Sequence, residues 1–129
     1  IRRAAEVAKM SGSLEIGQGA VSCASLILAV EAQEGTDRML ARVADLPVEI
    51  RGTPEARRGV LVKRPKPQQE RRIDLPTIGI TTVQGVAKAG LSGIAVEAGA
   101  ALVVDRDNVA NAANELGIFI YGFTAAEVA

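Results

Sequence analysis

The stretch VLVKRPKPQQERRIDLPTIG, residues 60–79, decides how the rest of the chain is interpreted. It opens as an apolar strand, continues as a loop rich in lysine, arginine and proline, and reaches Asp74 shortly before a helix. Pro65 and Pro67 end the strand because proline cannot donate a hydrogen bond to a sheet. A carboxylate among several cations is the arrangement that a polyanionic substrate and its counter-ion would require.

The composition excludes several classes of protein. Of the 129 residues, 15 are basic and 15 are acidic, and a net charge of zero argues against a nucleic-acid-binding protein. The absence of histidine excludes the usual Ser-His-Asp and Cys-His catalysis and makes a histidine-built metal site impossible. The single cysteine, Cys23, excludes an internal disulfide and is compatible with a reducing, cytosolic setting.

Two further expectations follow from the same composition. A bound metal would be held by oxygen ligands, which favours Mg²⁺ or Mn²⁺. No apolar run approaches the roughly 20 residues that a membrane-spanning helix needs. The expected location is the cytoplasm, with which the single cysteine is compatible.

Strands and helices alternate along the chain. The predicted strands lie at 16–31 (two strands with a hairpin around residues 22–25), 59–63, 94–96, 101–104 and 118–122, and the predicted helices lie at 1–11, 36–46, 81–90 and 106–116. This alternation predicts an α/β fold, a single layered domain with a mixed sheet and helices packed on it.

Capping residues set the predicted helix starts. Thr36 is the predicted N-cap of the second helix, Thr81 with Gln84 forms a predicted capping box for the third, and Asp105 is the predicted N-cap of the fourth. The aromatic side chains within residues 119–123 alternate, so we expect them on one face of the last strand.

The first candidate site is the cationic segment around the third strand. Its two prolines stiffen the loop and lower the cost of ordering it on an anion. The structural alternative is a solvated charged loop. The basic residues of this segment are Arg57, Arg58, Lys63, Arg64, Lys66, Arg71 and Arg72.

The second candidate is DLPTIG, residues 74–79. Pro76 keeps Leu75 extended, and Gly79 can adopt backbone conformations closed to other residues. The positive end of the following helix should lie nearby. The alternative is that Asp74 only braces the turn.

The third candidate is EAQEGTD, residues 31–37, which places three acids between a strand and a helix. These residues could bind a metal or sugar hydroxyls, although Asp37 also suits the helix dipole for structural reasons alone. Two weaker candidates are Gln18, which lies between two glycines, and Glu97, which precedes Gly99. The alternative for both is a structural role in a turn.

Together these segments resemble one family in order and spacing: EAQEGTD (31–37), VK and KP (62–63 and 66–67), RIDLPTIG (72–79) and AGLSGIAVEAG (89–99). The chain resembles the UDP-2,3-diacylglucosamine pyrophosphatases of the LpxI type, which act in lipid A biosynthesis. The resemblance runs from about residue 17 to about residue 122. It implies a C-terminal catalytic domain at 13–129, a residual interdomain helix or linker at 1–12, and an N-terminal tethering domain absent from this chain. Gln68 departs from the family, which often has glycine there.

The resemblance implies an activity. The family hydrolyses the pyrophosphate bond of UDP-2,3-diacylglucosamine with Mg²⁺ (or Mn²⁺), by attack of water on the β-phosphorus. The products are UMP and 2,3-diacylglucosamine 1-phosphate (lipid X). Asp74 matches the essential aspartate. Because a free aspartate is a poor base at neutral pH, we favour Asp74 as a metal ligand that positions water. The alternative is a non-catalytic module that binds nucleotide sugars or phosphate.

The expected partners are the lipid-linked UDP-sugar substrate and, weakly and peripherally, the inner-membrane surface of a Gram-negative cell. Nucleic acid is not expected, and a homodimer is left open. The expected substrate-binding residues are Gln18, Glu34, Gly35, Thr36, Asp37, Lys63, Lys66, Gln69, Arg72, Thr77, Gly79 and Glu97.

Overall fold

The computed structural model describes residues 1–66 and 75–129. In these ranges the helices are α1 (Arg2–Ser13), α2 (Thr36–Ala44), α3 (Ile80–Lys88) and α4 (Arg106–Leu116), and the strands are β1 (Gly19–Cys23), β2 (Leu26–Val30), β3 (Val60–Lys63), β4 (Thr77–Ile78), β5 (Gly93–Glu97), β6 (Leu102–Val103) and β7 (Phe119–Phe123). Short 3₁₀ turns lie at Val48–Ile50 and Ala126–Val128.

Five strands form a mixed sheet in the order β2-β1-β3-β5-β7. Strand β1 is antiparallel to both of its neighbours, whereas β3, β5 and β7 run parallel. The predicted α/β fold with a mixed sheet is confirmed. The carboxyl ends of these parallel strands consequently lie at the same end of the sheet, which is where open α/β sheets bind ligands. The strands concerned are β2, β3, β5 and β7.

The predicted hairpin near residues 22–25 is confirmed. Cys23 pairs with Leu26, and the two residues between them, Ala24 and Ser25, have positive φ angles of 50° and 68°. Two central residues with positive φ are typical of the tight turns whose twist matches that of antiparallel strands. Cys23 itself is buried in β1.

The sheet is covered on both faces, because its side chains alternate between two apolar cores. Leu61 and Ile94 pack with α2, α3 and α4 on one face. Val62 and Ala95 pack on the other face against three alanines of α1. In the described ranges this arrangement gives three layers, with α1 on one side of the sheet and α2, α3 and α4 on the other.

A second, two-stranded sheet was not predicted. The predicted strand at 101–104 is shorter than expected and lies outside the main sheet, where β6 pairs in parallel with β4. The backbone N–H groups of Leu102 and Val104 donate to the carbonyls of Pro76 and Ile78, each at 2.9 Å. Strands of two residues are too short to leave a period in the sequence.

The predicted N-caps of α2 and α3 were wrong by one or two residues. Gly35 and Gly79 are the N-caps, so Thr36 is the first residue of α2. In α3 the capping side chain is Thr82 rather than the predicted Gln84. The Thr82 hydroxyl accepts a hydrogen bond from the Gly79 N–H at 3.3 Å. No side chain caps α2, because the Thr36 hydroxyl donates to Glu31 instead.

Asp105 does occupy the N-cap position of α4, as predicted, but makes no side-chain bond to the helix backbone. Its carboxylate accepts instead from the Asn108 side-chain amide at 2.7 Å.

Strand β7 lies at the edge of the main sheet. Phe123 is buried in the core beside α1, while Ile120 packs on the opposite core, as the predicted alternation requires. Phe119 and Tyr121 are exposed, and the Tyr121 hydroxyl donates to the Glu127 carboxylate. Separately, none of the helices in the described ranges combines the length and the apolar character needed to cross a bilayer.

Candidate active site

A cavity of about 540 Å³ opens at the end of the sheet where the parallel strands have their carboxyl ends. We call it the strand-end pocket. It lies between the starts of α2 and α3, with the end of β3 between them. Its lining residues are Glu34, Gly35, Thr36, Asp37, Arg38, Lys63, Thr77, Gly79, Thr81, Thr82 and Val104.

Lys63 is the buried cation of the strand-end pocket, with 6% of its surface exposed. It lies two residues after Leu61 in β3, so both side chains point to the same face of the sheet, the one covered by α2 and α3. Its ammonium donates to the Thr77 carbonyl at 3.2 Å. Burial lowers the pKa of Lys63 from its ordinary value, and the negative charges of Glu31 and Asp37 oppose that shift.

Arg64, the next residue, leaves β3 on the opposite face. Its guanidinium donates to the Ala5 carbonyl at 3.3 Å, lies 3.7 Å from the Glu97 carboxylate, and stacks 5.4 Å from the centre of the Phe123 ring. Arg64 therefore ties α1 to the sheet. Two adjacent basic residues serve different layers because side chains alternate along a strand.

Two helices begin at the strand-end pocket. Helix α2 starts after Gly35, whose φ of 87° is unfavourable for residues with a side chain, and α3 starts after Gly79. The first N–H groups of an α-helix have no partner within the helix and carry partial positive charge. With Lys63 between them, the two helix starts form an arrangement suited to an anion.

The carboxylates at the pocket differ in their surroundings. Asp37 is exposed in the first turn of α2. Glu34 accepts from the Arg42 guanidinium at 2.6 Å. Glu31, just behind the lining residues, is buried and accepts hydrogen bonds from the Gln18 backbone N–H and the Thr36 hydroxyl.

The structure brings seven of the expected substrate-binding residues together in the lining: Glu34, Gly35, Thr36, Asp37, Lys63, Thr77 and Gly79. Gln18 is not among the lining residues, and its backbone N–H donates to the Glu31 carboxylate at 3.1 Å. Lys66 is half-buried and does not belong to the lining. Gln69, Arg72 and Asp74 lie outside the described residues.

Two parts of the expected site lie elsewhere. Glu97 shares the face of Ala95 in β5 and pairs with Arg64, so it does not join the lining residues. Arg57 precedes β3 and donates to the Ala87 carbonyl at 2.8 Å, where it satisfies the carboxyl end of α3. The length of β3 therefore separates Arg57 and Arg58 from Lys63, although all three are close in sequence.

Four lining residues were missed by the sequence analysis. Arg38, Thr81 and Thr82 belong to the first turns of α2 and α3, and an earlier placement of the helix starts would have drawn attention to them. Val104 could not have been found from its own surroundings in the sequence. It reaches the pocket only because β6 pairs with β4.

The described residues contain no large cluster of metal-ligating side chains. Within residues 1–66 and 75–129 there is no group of three or more Asp, Glu or Cys side chains placed to hold an ion. Thr77 lines the pocket, and Asp74 precedes it by three residues in the sequence.

Comparison with known proteins agrees with the resemblance seen in the motifs. A protein of Caulobacter vibrioides named UDP-2,3-diacylglucosamine pyrophosphatase LpxI is 62% identical over 122 residues, which cover 95% of this chain. The chain spans 44% of the length of that curated relative. The family described as the LpxI C-terminal domain matches residues 1–121. The chain therefore belongs to the LpxI C-terminal domain family.

Proposed function

We propose that this chain carries the catalytic site of a UDP-2,3-diacylglucosamine pyrophosphatase. The reaction would hydrolyse the pyrophosphate bond to give UMP and 2,3-diacylglucosamine 1-phosphate, a step of lipid A biosynthesis. Membership of the LpxI C-terminal domain family and the name of the Caulobacter vibrioides relative support this choice of reaction. The observation that carries the proposal is the burial of Lys63 between the starts of α2 and α3.

The electrostatics of the strand-end pocket favour a diphosphate. The diphosphate of a nucleotide sugar bears two negative charges, and Lys63 lies between two helix starts that both attract anions. Attraction between charges is stronger where water is partly excluded, as it is around Lys63. Arg38 adds a further cation to the lining. Such fixed positive groups can stabilise charge as it moves onto a leaving phosphate.

We propose Asp74 as the residue required for turnover. Thr77, three residues later, lines the strand-end pocket, which supports a place for this segment beside the diphosphate. Glu34 and Asp37 are the carboxylates in the lining, and Glu34 is already engaged by Arg42. A Mg²⁺ or Mn²⁺ ion bound to the diphosphate here would gain a carboxylate ligand from the segment before Thr77. Asp74 is our choice, and a bound divalent ion would supply further neutralisation of the diphosphate.

The substrate also suggests where the protein works. Two acyl chains anchor the sugar nucleotide in a membrane, so we propose that the protein acts in the cytoplasm and touches the inner-membrane surface only peripherally. A homodimer remains compatible with this proposal.

The proposal predicts that Asp74→Ala abolishes release of UMP from UDP-2,3-diacylglucosamine while binding of that substrate persists. Loss of the residue removes the metal ligand but leaves Lys63 and the two helix starts in place. UMP release is measured with and without added Mg²⁺, and binding is measured by calorimetry. Asp45→Ala, an exposed acid at the end of α2, is the matched control and should keep full activity.

Two results would contradict the proposal. If Asp74→Ala retains a substantial part of the wild-type rate, Asp74 is not the essential residue. If the wild-type protein binds the substrate but releases no UMP at any Mg²⁺ concentration, the chain is a non-catalytic nucleotide-sugar-binding module.

A further inference from the structure

Glu31 is a buried acid for which the proposed reaction has no direct use. It follows β2, and only 8% of its surface is exposed. One carboxylate oxygen accepts from the Gln18 backbone N–H at 3.1 Å, and the other accepts from the Thr36 hydroxyl. Both of these donors are neutral. Burial of a carboxylate is costly unless hydrogen bonds and a positive charge compensate for it.

Two glycines lie against Glu31. A Cβ atom at Gly17 would lie 2.1 Å from the Glu31 carbonyl oxygen, so no other residue fits there without movement. A Cβ atom at Gly19 would lie 3.4 Å from the Glu31 carboxylate, and the Gly19 carbonyl accepts from the Glu31 N–H at 2.9 Å. The backbone at residue 17 therefore passes too close to the Glu31 backbone for any side chain, whereas a Cβ atom at residue 19 would make an ordinary contact.

Lys63 is a buried cation beside Glu31, because it pairs with Gly19 between β1 and β3 and Gly19 lies against the Glu31 carboxylate. Burial lowers the pKa of Lys63, and Glu31 is the strongest of the opposing influences, ahead of Asp37. Asp37 is exposed, so solvent screens its charge. Of the other charged lining residues, Glu34 is paired with Arg42, and Arg38 is an exposed cation. Arg64 and Glu97 face the opposite side of the sheet.

We propose that Glu31 is a positioning residue: it fixes Thr36 at the start of α2 and sets a negative charge beside Lys63 where the diphosphate binds. This inference rests on the proposed function, because it assigns the anion to the same pocket. Glu31 does not touch the ligand in this assignment. It acts through Thr36 and Lys63.

The experiment measures UDP binding by calorimetry at a series of pH values from neutral to alkaline. In the wild-type protein, affinity should fall as pH rises through the pKa of Lys63. In Glu31→Gln, that fall should move to lower pH, because the lysine loses the charge that favours its protonated form. Removal of Glu31 also removes a repulsion with UDP, so the midpoint of the fall is the informative quantity rather than the affinity at one pH.

Three variants accompany Glu31→Gln. Thr36→Val removes the hydroxyl but keeps the Glu31 charge, so it should weaken UDP binding and leave the midpoint unchanged. Lys63→Met should abolish the pH-dependent fall, and subtraction of its curve removes any titration of UDP itself. Glu49→Gln makes the same chemical change at an exposed site beyond the other end of α2 and should behave as wild type. Thermal melting establishes that each variant is folded.

An unchanged midpoint in folded Glu31→Gln overturns the inference, and so does wild-type UDP affinity in Thr36→Val. The second result stands even if Glu31→Gln does not fold. The proposed function fails separately: if Lys63→Met binds UDP as the wild type does, the diphosphate site itself is wrongly placed.

Discussion

At the scale of single residues, Lys63 and Arg64 show that adjacent positions in a strand can give two similar side chains different roles. Both are buried and basic, yet Lys63 faces the strand-end pocket and Arg64 faces α1. Burial of Lys63 opposes its charge, which is a cost that an anion in the pocket would offset. Arg64 has its compensation within the protein, in Glu97, Phe123 and the Ala5 carbonyl. The first arrangement suits binding and the second suits stability.

Lys63→Met should therefore weaken UDP binding by about tenfold or more, since a hydrogen bond to a charged group contributes roughly 1.5–3 kcal/mol. Because the pKa of Lys63 is lowered from its ordinary value, the charge that attracts UDP is present below that pKa and is lost as pH rises through it. The wild-type affinity should fall over this range, and calorimetry should show no such fall in Lys63→Met.

Arg64→Met is the matched control for that variant, because it makes the same change at the next residue. It should lower the free energy of unfolding by about 2 kcal/mol, since Glu97 and the Ala5 carbonyl lose a charged donor. Its UDP affinity should stay near that of the wild type. The reverse pattern, with Lys63→Met harming stability alone and Arg64→Met harming binding alone, would show that the two faces have been assigned the wrong way round.

At the scale of elements, the starts of α2 and α3 carry the site. Each helix begins after a glycine, and in each the first turn supplies threonine hydroxyls to the pocket or its supports. Thr82 is buried and accepts from the Gly79 N–H at 3.3 Å, so it satisfies a donor that would otherwise be lost at the helix start. The preceding Thr81 lines the pocket but is exposed.

Thr82→Val should lower the free energy of unfolding by about 1 kcal/mol, because valine keeps the shape of threonine but cannot accept the hydrogen bond. Urea denaturation measures this change. Thr81→Val, the same substitution one residue earlier, should leave stability almost unaltered. Equal losses from the two variants would mean that the Thr82 hydroxyl does not cap α3.

At the scale of the whole molecule, the sheet separates the site from the layer formed by α1. Ala4, Ala5 and Ala8 are buried against the sheet with at most 1% of their surface exposed, which brings α1 close to β1 and β3. No side chain of α1 lines the strand-end pocket. Packing on this face should consequently affect stability without reaching the pocket.

Ala5→Leu should destabilise the protein by about 1–3 kcal/mol, because a larger side chain has no space between α1 and the sheet. The fraction that remains folded should bind UDP with wild-type affinity. Urea denaturation and calorimetry measure the two effects, and Ala110→Leu, on an exposed position of α4, serves as the control. A large loss of affinity in folded Ala5→Leu would show that the two faces of the sheet are coupled.

The sequence by itself determined the α/β class, the main strands and helices, the hairpin after Cys23 and the resemblance to the LpxI family. These features depend on local periodicity, turn residues and motifs, which can be read without knowing what lies across the fold. It also singled out seven of the residues that line the strand-end pocket, because strand ends and helix starts are marked in the sequence.

Only the tertiary structure decided which of the charged residues meet. The charged candidates included Arg57, Lys63, Arg64 and Glu97. Of these four, strand direction and side-chain alternation place only Lys63 at the pocket. The contact of Glu31 with Thr36 and the pairing of β4 with β6 likewise depend on packing between segments. Periodicity records which side of an element is apolar, but it does not record what that side faces, because burial and charge pairing are properties of the assembled layers.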